Sequence, residues 1–136
     1  MIEAAEQLLL PEAMRAEIID HARDHSPREC CGVIAGRDGV LSRLVRLTNV
    51  EPRNTRYLFD DAEFYQVYRE LDGAGEEVQV VYHSHPETVA YPSQTDVDFA
   101  FWPEAVYVIC SLEFPDSPVI RGYRIVDGEI SEVKLV

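Results

Sequence analysis

The run Ala105-Val106-Tyr107-Val108-Ile109-Cys110-Ser111-Leu112 constrains the fold most, because it reads as a buried strand and ties the chain to a sheet. A second β-rich run, Val78 to Tyr82, leads into His83-Ser84-His85-Pro86 and sets both histidines at a strand's C-terminal end. Cys31 to Ala35 reads as a short buried strand, Gly36-Arg37-Asp38-Gly39 as a turn, and Val40 to Val50 as the other arm of a hairpin. Two closing strands are expected around Asp127-Gly128. Helical spacing appears between these runs. Pro11 suits a first-turn position, and Met14, Ile18, Ala22 and His25 recur at helical intervals up to Ser26-Pro27. Asp60 and Glu63 have capping-box spacing ahead of a helix whose face carries Phe64, Val67 and Leu71 and which ends at Gly73; Arg56 to Phe59 before it reads as a short extended segment. Ser93 opens a third, short helix through about Phe101, which Pro103 forbids from continuing. The order α-β-β-α-β-α-β-β-β predicts an α/β (mixed α+β) layer fold around a mixed sheet.

With 136 residues the chain is expected to form a single domain, residues 1–136. A chain of this mass buries about 68% of its unfolded surface, enough for a core without disulfide staples. Cys30, Cys31 and Cys110 form no even framework, and two are adjacent, so they are expected as reduced thiols. Acids at Glu3 and Glu6 stand where a secretory leader needs a basic start, Leu8-Leu9-Leu10 is too short for its apolar core, and no apolar run approaches the ~20 residues of a membrane span. The expected compartment is the cytoplasm.

Charge narrows the partners. The chain has 12 Lys+Arg against 25 Asp+Glu, a net charge of −13, and between Glu70 and Ile120 it carries ten acids and no Lys or Arg. Nucleic acid and anionic lipid would be repelled there, so neither is expected as a partner. A metal cation or a basic protein face would be welcome.

The chemistry-bearing constellation is His83-x-His85, then Ser93 and Asp96, with Glu29 ahead of a buried strand. Histidines at i and i+2 on a strand face the same side, so their imidazoles can converge on one ion, and a carboxylate from the next helix completes three ligands. Catalytic zinc takes three protein ligands of this N/O type and keeps a fourth position for water. A nearby carboxylate, Glu29, is the candidate proton carrier, and the Ser93 hydroxyl is a candidate donor to a developing oxyanion.

Glu29, His83-Ser84-His85-Pro86, Ser93 and Asp96, with ten residues between His85 and Asp96, resemble the full signature of the JAMM/MPN+ zinc metalloproteases. The likeness covers nearly the whole chain. Tyr82 to Val97 and Gly122 to Gly128 look most like the short actinobacterial peptidases of the Mec type, which release cysteine from a ubiquitin-like sulfur carrier. The resemblance implies one Zn2+ held by His83, His85, Asp96 and water, Glu29 as general acid/base, and Ser93 supporting the tetrahedral intermediate. It also implies a curved mixed sheet flanked by helices, the cytidine deaminase-like arrangement. The expected reaction is hydrolysis after the C-terminal Gly-Gly of a ubiquitin-like sulfur carrier protein. The alternatives are an isopeptidase that removes such a modifier from protein lysines and a non-catalytic binding module of the same fold. A homodimer stays open.

Competing patterns are weaker. His21 and His25 have the i, i+4 spacing of helical zinc pairs but no intervening HExxH glutamate, and they read as helix-end residues. Ser93-x-x-Asp96 also reads as a capping box, which is compatible in part with the functional roles, since Asp96 can orient from a helix's first turn while Ser93 still caps. A nucleoside deaminase would need Glu two residues after His83, where His85 stands, and a downstream Pro-Cys-x-x-Cys, which is missing.

Overall fold

In the computed structural model, residues 6–136 are described. The strands are β1 (Gln7–Leu8), β2 (Cys31–Arg37), β3 (Val40–Leu47), β4 (Glu77–His85), β5 (Val106–Ser111), β6 (Val119–Val126) and β7 (Glu129–Leu135); the helices are α1 (Glu12–His25), α2 (Asp61–Gly73) and α3 (Gln94–Asp98). They form one sheet in the order β1-β7-β6-β5-β4-β2-β3. β4 and β5 pair in parallel, as do β1 and β7, and the other neighbours are antiparallel. This is the mixed sheet the sequence predicts, and from α1 onward the elements follow the predicted order.

Three boundaries differ from expectation. β1 has no predicted counterpart: it is two residues long and is held on β7 by backbone bonds such as Val136 N–H to Leu8 C=O at 2.9 Å. The second hairpin arm stops at Leu47 rather than Val50, because the chain turns there and Asn49 pairs across to Phe59 in an isolated bridge. α3 ends at Asp98, with Phe99 as its C-cap. The two hairpin turns are as expected, each an Asp-Gly pair in the left-handed region (Asp38-Gly39 and Asp127-Gly128), the combination that matches strand twist in a tight hairpin.

The sheet has two apolar faces, each covered. Ile34, Val80, Tyr82, Val106, Val108 and Cys110 pack with Ile18 and Ala22 of α1. Val33, Val81, Tyr107, Ile109, Tyr123 and Ile125 face the other way, against Phe64 and Val67 of α2, Val97 of α3 and Trp102. Cys30 and Cys31 fall on opposite sides, both buried, and burial pushes both thiols up, Cys30 to about 12, which disfavours the thiolate that a nucleophile needs. Gly32 is required by a close approach: a Cβ there would lie 2.4 Å from the Tyr82 ring.

His21 departs from its reading as a helix-end residue. It is fully buried on α1, its Nδ1 lies 2.7 Å from the Tyr82 hydroxyl, and burial, helped by His25 and Arg46, lowers its pKa to about 4. It is therefore a neutral core histidine.

Candidate metal centre and active site

β4 is the strand that carries the chemistry, and its register is held from both sides. His83 stands opposite Cys31 of β2 and Ile109 of β5, and His85 opposite Ser111 of β5. The pleat turns both imidazoles toward α2 and α3 and turns Ser84 the other way. Ser84 Oγ accepts from Cys30 N–H at 2.8 Å, and Ser84 N–H donates to Cys30 C=O at 3.2 Å. This pair of bonds brings the residue before Cys30, Glu29, to the histidine end of β4.

The third ligand, a carboxylate, arrives on α3. Ser93 is its N-cap: Ser93 Oγ accepts from Asp96 N–H at 3.1 Å, and Asp96 Oδ2 accepts from Ser93 N–H at 2.9 Å, a complete capping box. The same Oδ2 lies 3.0 Å from His85 Nε2 and 3.2 Å from His83 Nε2, and the two Nε2 atoms are 3.2 Å apart. All three side chains are buried. Burial by itself would raise the Asp96 pKa, but His83 and His85 hold it well below the usual carboxylate range.

These atoms fit a cation. His85 Nδ1 is 2.8 Å from the Val89 carbonyl, which only accepts, so a ring proton sits on Nδ1 and Nε2 is the nitrogen turned to Asp96 and His83. Electron-rich atoms at 3.0–3.2 Å from one another need a proton or a positive ion between them. Zinc bonded to N and O ligands at 2.0–2.2 Å in tetrahedral geometry sets those ligands about 3.3 Å apart. The observed separations match, and two imidazoles with one carboxylate are the donor set of an open catalytic zinc site. Tyr57 stacks on the His83 ring with centroids 4.6 Å apart and fixes its plane.

Glu29 and Ser93 border the same cavity of about 220 Å³, with His85, Asn54, Thr55 and Pro86. Glu29 is 4% exposed, and its Oε1 is buried without a hydrogen-bond partner. Burial pushes the Glu29 pKa up to about 7 and outweighs the downward pull of His83 and His85; Asp96 adds to the rise. A carboxyl that titrates near neutrality can both take and return a proton. Ser93 Oγ uses a lone pair in the cap, so its O–H remains available as a donor toward the cavity.

The structure thus gathers all five predicted residues: His83, His85 and Asp96 by direct approach, Glu29 and Ser93 as walls of one cavity. Two further residues escaped the sequence. Tyr57 is one. The other is Asn49, buried, whose Nδ2 donates to the carbonyls of Glu29 at 2.9 Å and Arg56 at 3.1 Å while its Oδ1 accepts from the N–H groups of Glu51 and Leu58. It fastens the backbone of Glu29 to the segment that carries Tyr57, and Arg28 reinforces this by donating to the carbonyls of Asn49 and Glu51.

Comparison with known proteins adds an independent line. Residues 11–126 match the family described as prokaryotic homologs of the JAB domain. The chain is 42% identical over 125 residues to a CysO-cysteine peptidase of Mycobacterium tuberculosis, covering 88% of this chain and 86% of that protein. It is 37% identical over 113 residues to a desampylase of Haloferax volcanii, covering 77% and 81%. A protein of Desulfitobacterium hafniense solved in solution superposes with a TM-score of 0.86 at 30% identity, covering 96% of this chain and 92% of that one.

Proposed function

Because the chain belongs to the family of prokaryotic homologs of the JAB domain, we propose that it is a zinc-dependent peptidase acting on conjugates of a ubiquitin-like protein. The observation that carries the reading is the convergence of His83, His85 and Asp96 beside a buried Glu29 whose pKa is pushed up to about 7. His83, His85 and Asp96 would hold the zinc, which when bound would supply a Lewis acid for the scissile carbonyl and lower the pKa of water. Glu29 removes a proton from the attacking water and returns it to the departing amine, so that C–N cleavage and proton delivery are coupled. The Ser93 hydroxyl donates to the carbonyl oxygen as it becomes an oxyanion.

The proposed substrate is a ubiquitin-like sulfur carrier extended by cysteine after its C-terminal Gly-Gly, with cysteine as the leaving group. Likeness to the mycobacterial peptidase supports it, as does the short Pro86–Pro92 connection, which leaves little to grip a second folded protein. The second reading, removal of a modifier from protein lysines, is favoured by likeness to the desampylase. The carrier's extended tail would pair main chain to main chain beside a sheet edge, a mode that favours narrow glycines. We propose one domain spanning 1–136 and, as expected from the sequence, a cytoplasmic location. Separately, no helix among the described residues is long and apolar enough to cross a membrane.

The test is mass spectrometry of a carrier bearing one C-terminal cysteine, incubated with zinc-loaded protein next to a lysine isopeptide conjugate of the same carrier. Loss of one cysteine residue, abolished by chelator and by His83→Ala, supports the first reading. Cleavage of only the isopeptide shifts the assignment to the second, and an intact carrier in both arms with zinc bound refutes the proposal.

A further inference from the structure

The Pro86–Pro92 connection is held through three successive carbonyls. Thr88 C=O accepts from Ser111 Oγ at 2.5 Å, Val89 C=O accepts from His85 Nδ1 at 2.8 Å, and Ala90 C=O accepts from the Tyr123 hydroxyl. The two outer donors are buried and stand on the histidine-bearing face of the neighbouring strands, Ser111 on β5 directly opposite His85 and Tyr123 on β6. Tyr123 is braced edge-on by Tyr91 at 5.5 Å, and Ser111 Oγ also accepts from Glu113 N–H at 3.1 Å, which fixes the direction of its proton. The central carbonyl is therefore clamped on both sides, and it is the group that selects which nitrogen of His85 is bare.

We infer that Ser111 and Tyr123 are positioning residues for the metal centre: by pinning the carbonyls of Thr88 and Ala90 they hold the Val89 carbonyl against His85 Nδ1 and keep the His85 Nε2 lone pair aimed at the ion. Hydrogen bonds behind a ligand commonly govern metal affinity by 10- to 100-fold, because they fix the tautomer and the ring orientation. None of the three strap carbonyls depends on the side chain of its own residue, so a motif search along 86–92 would not find the device. The inference rests on the zinc reading above.

The test compares wild type with Tyr123→Phe, Ser111→Ala, the double variant and Ser111→Thr, reading zinc affinity by competition with a chromophoric chelator and the His85 Nδ1–H to Val89 hydrogen bond by nitrogen NMR of the zinc-loaded protein. Each single loss of a hydroxyl is expected to weaken zinc binding about tenfold and the double variant more, with a weakened His85 Nδ1–H to Val89 bond, while Ser111→Thr stays near wild type. Tyr123→Phe keeps the packed ring and decides the matter if the double variant does not fold. Zinc affinity within about threefold of wild type in Tyr123→Phe and Ser111→Ala, with the His85 Nδ1–H to Val89 bond unchanged, would overturn the inference alone. A wild-type protein unable to bind zinc would overturn it together with the functional reading.

Discussion

Replacing Glu29 by glutamine should abolish turnover and stabilise the metal-free protein at the same time. The Glu29 carboxyl rises from an ordinary 4.5 to about 7 on folding, chiefly through burial. At 1.36 kcal/mol per unit of pKa, that rise of about 2.5 makes the ionised side chain destabilising by about 3 kcal/mol. The sign follows from proton uptake. Between about 4.5 and about 7 the folded chain holds more protons than the unfolded one, so stability falls as pH rises through that window and the penalty is constant above it. Glutamine keeps the shape of the side chain without its titration. Urea denaturation of the chelator-treated proteins should therefore show similar stabilities near about pH 4 and a variant more stable by about 3 kcal/mol near about pH 8. Zinc places a positive charge beside Glu29 and should narrow the gap at the higher pH. A difference between the two proteins that does not change with pH would refute the claim that burial disfavours the carboxylate.

Ser93→Ala and Ser93→Asn should both lower kcat by about 10²–10³, whereas only the alanine variant should lose about 1 kcal/mol in thermal unfolding, because asparagine still caps α3. Retained turnover in Ser93→Asn would remove the hydroxyl from the chemistry. Asn49→Ala strips partners from two carbonyls and two N–H groups; the expected cost is about 3 kcal/mol in denaturant, with kcat falling more than zinc affinity. Gly32→Ala drives a methyl against the Tyr82 ring and should destabilise by about 1–3 kcal/mol, measured by thermal melting. Chelation should silence the enzyme and added zinc restore it, while His83→Ala should stay silent at any zinc concentration tested.

What could be read from the residues in advance was whatever is local. Asp60 three residues before Glu63 announces α2, and the side chain indeed accepts from Glu63 N–H at 3.1 Å. The Asp-Gly turns and the i, i+2 histidines likewise state their geometry within a few residues. What stayed hidden depends on partners far along the chain. His21 looks like the end of a helix, yet its partner Tyr82 is 61 residues away, and that pairing makes it part of the core. β1 carries no periodic signal because two residues held by backbone bonds need none. Asn49 gives no hint that it holds Glu29, since both its donors and its acceptor act on main chain whose position exists only after β2, β3 and the 51–58 segment have met.

The alternation along β4 has a consequence for how this gene can change length. From Val80 onward strand neighbours on both sides lock the register; the extra residue that β4 already carries against β2 lies before that point, at Gln79, where β5 does not pair, so an inserted or deleted residue between Val80 and His83 is absorbed neither by β2 nor by β5. One extra residue between Val80 and Tyr82 would swing His83 and His85 together onto the α1 side and offer Ser84 to the carboxylates instead. The same insertion at Asp38-Gly39 or Asp127-Gly128 would merely enlarge a hairpin loop. Point changes can erode the centre one side chain at a time, but a single-codon indel in the doubly paired stretch Val80 to His83 dismantles it in one step.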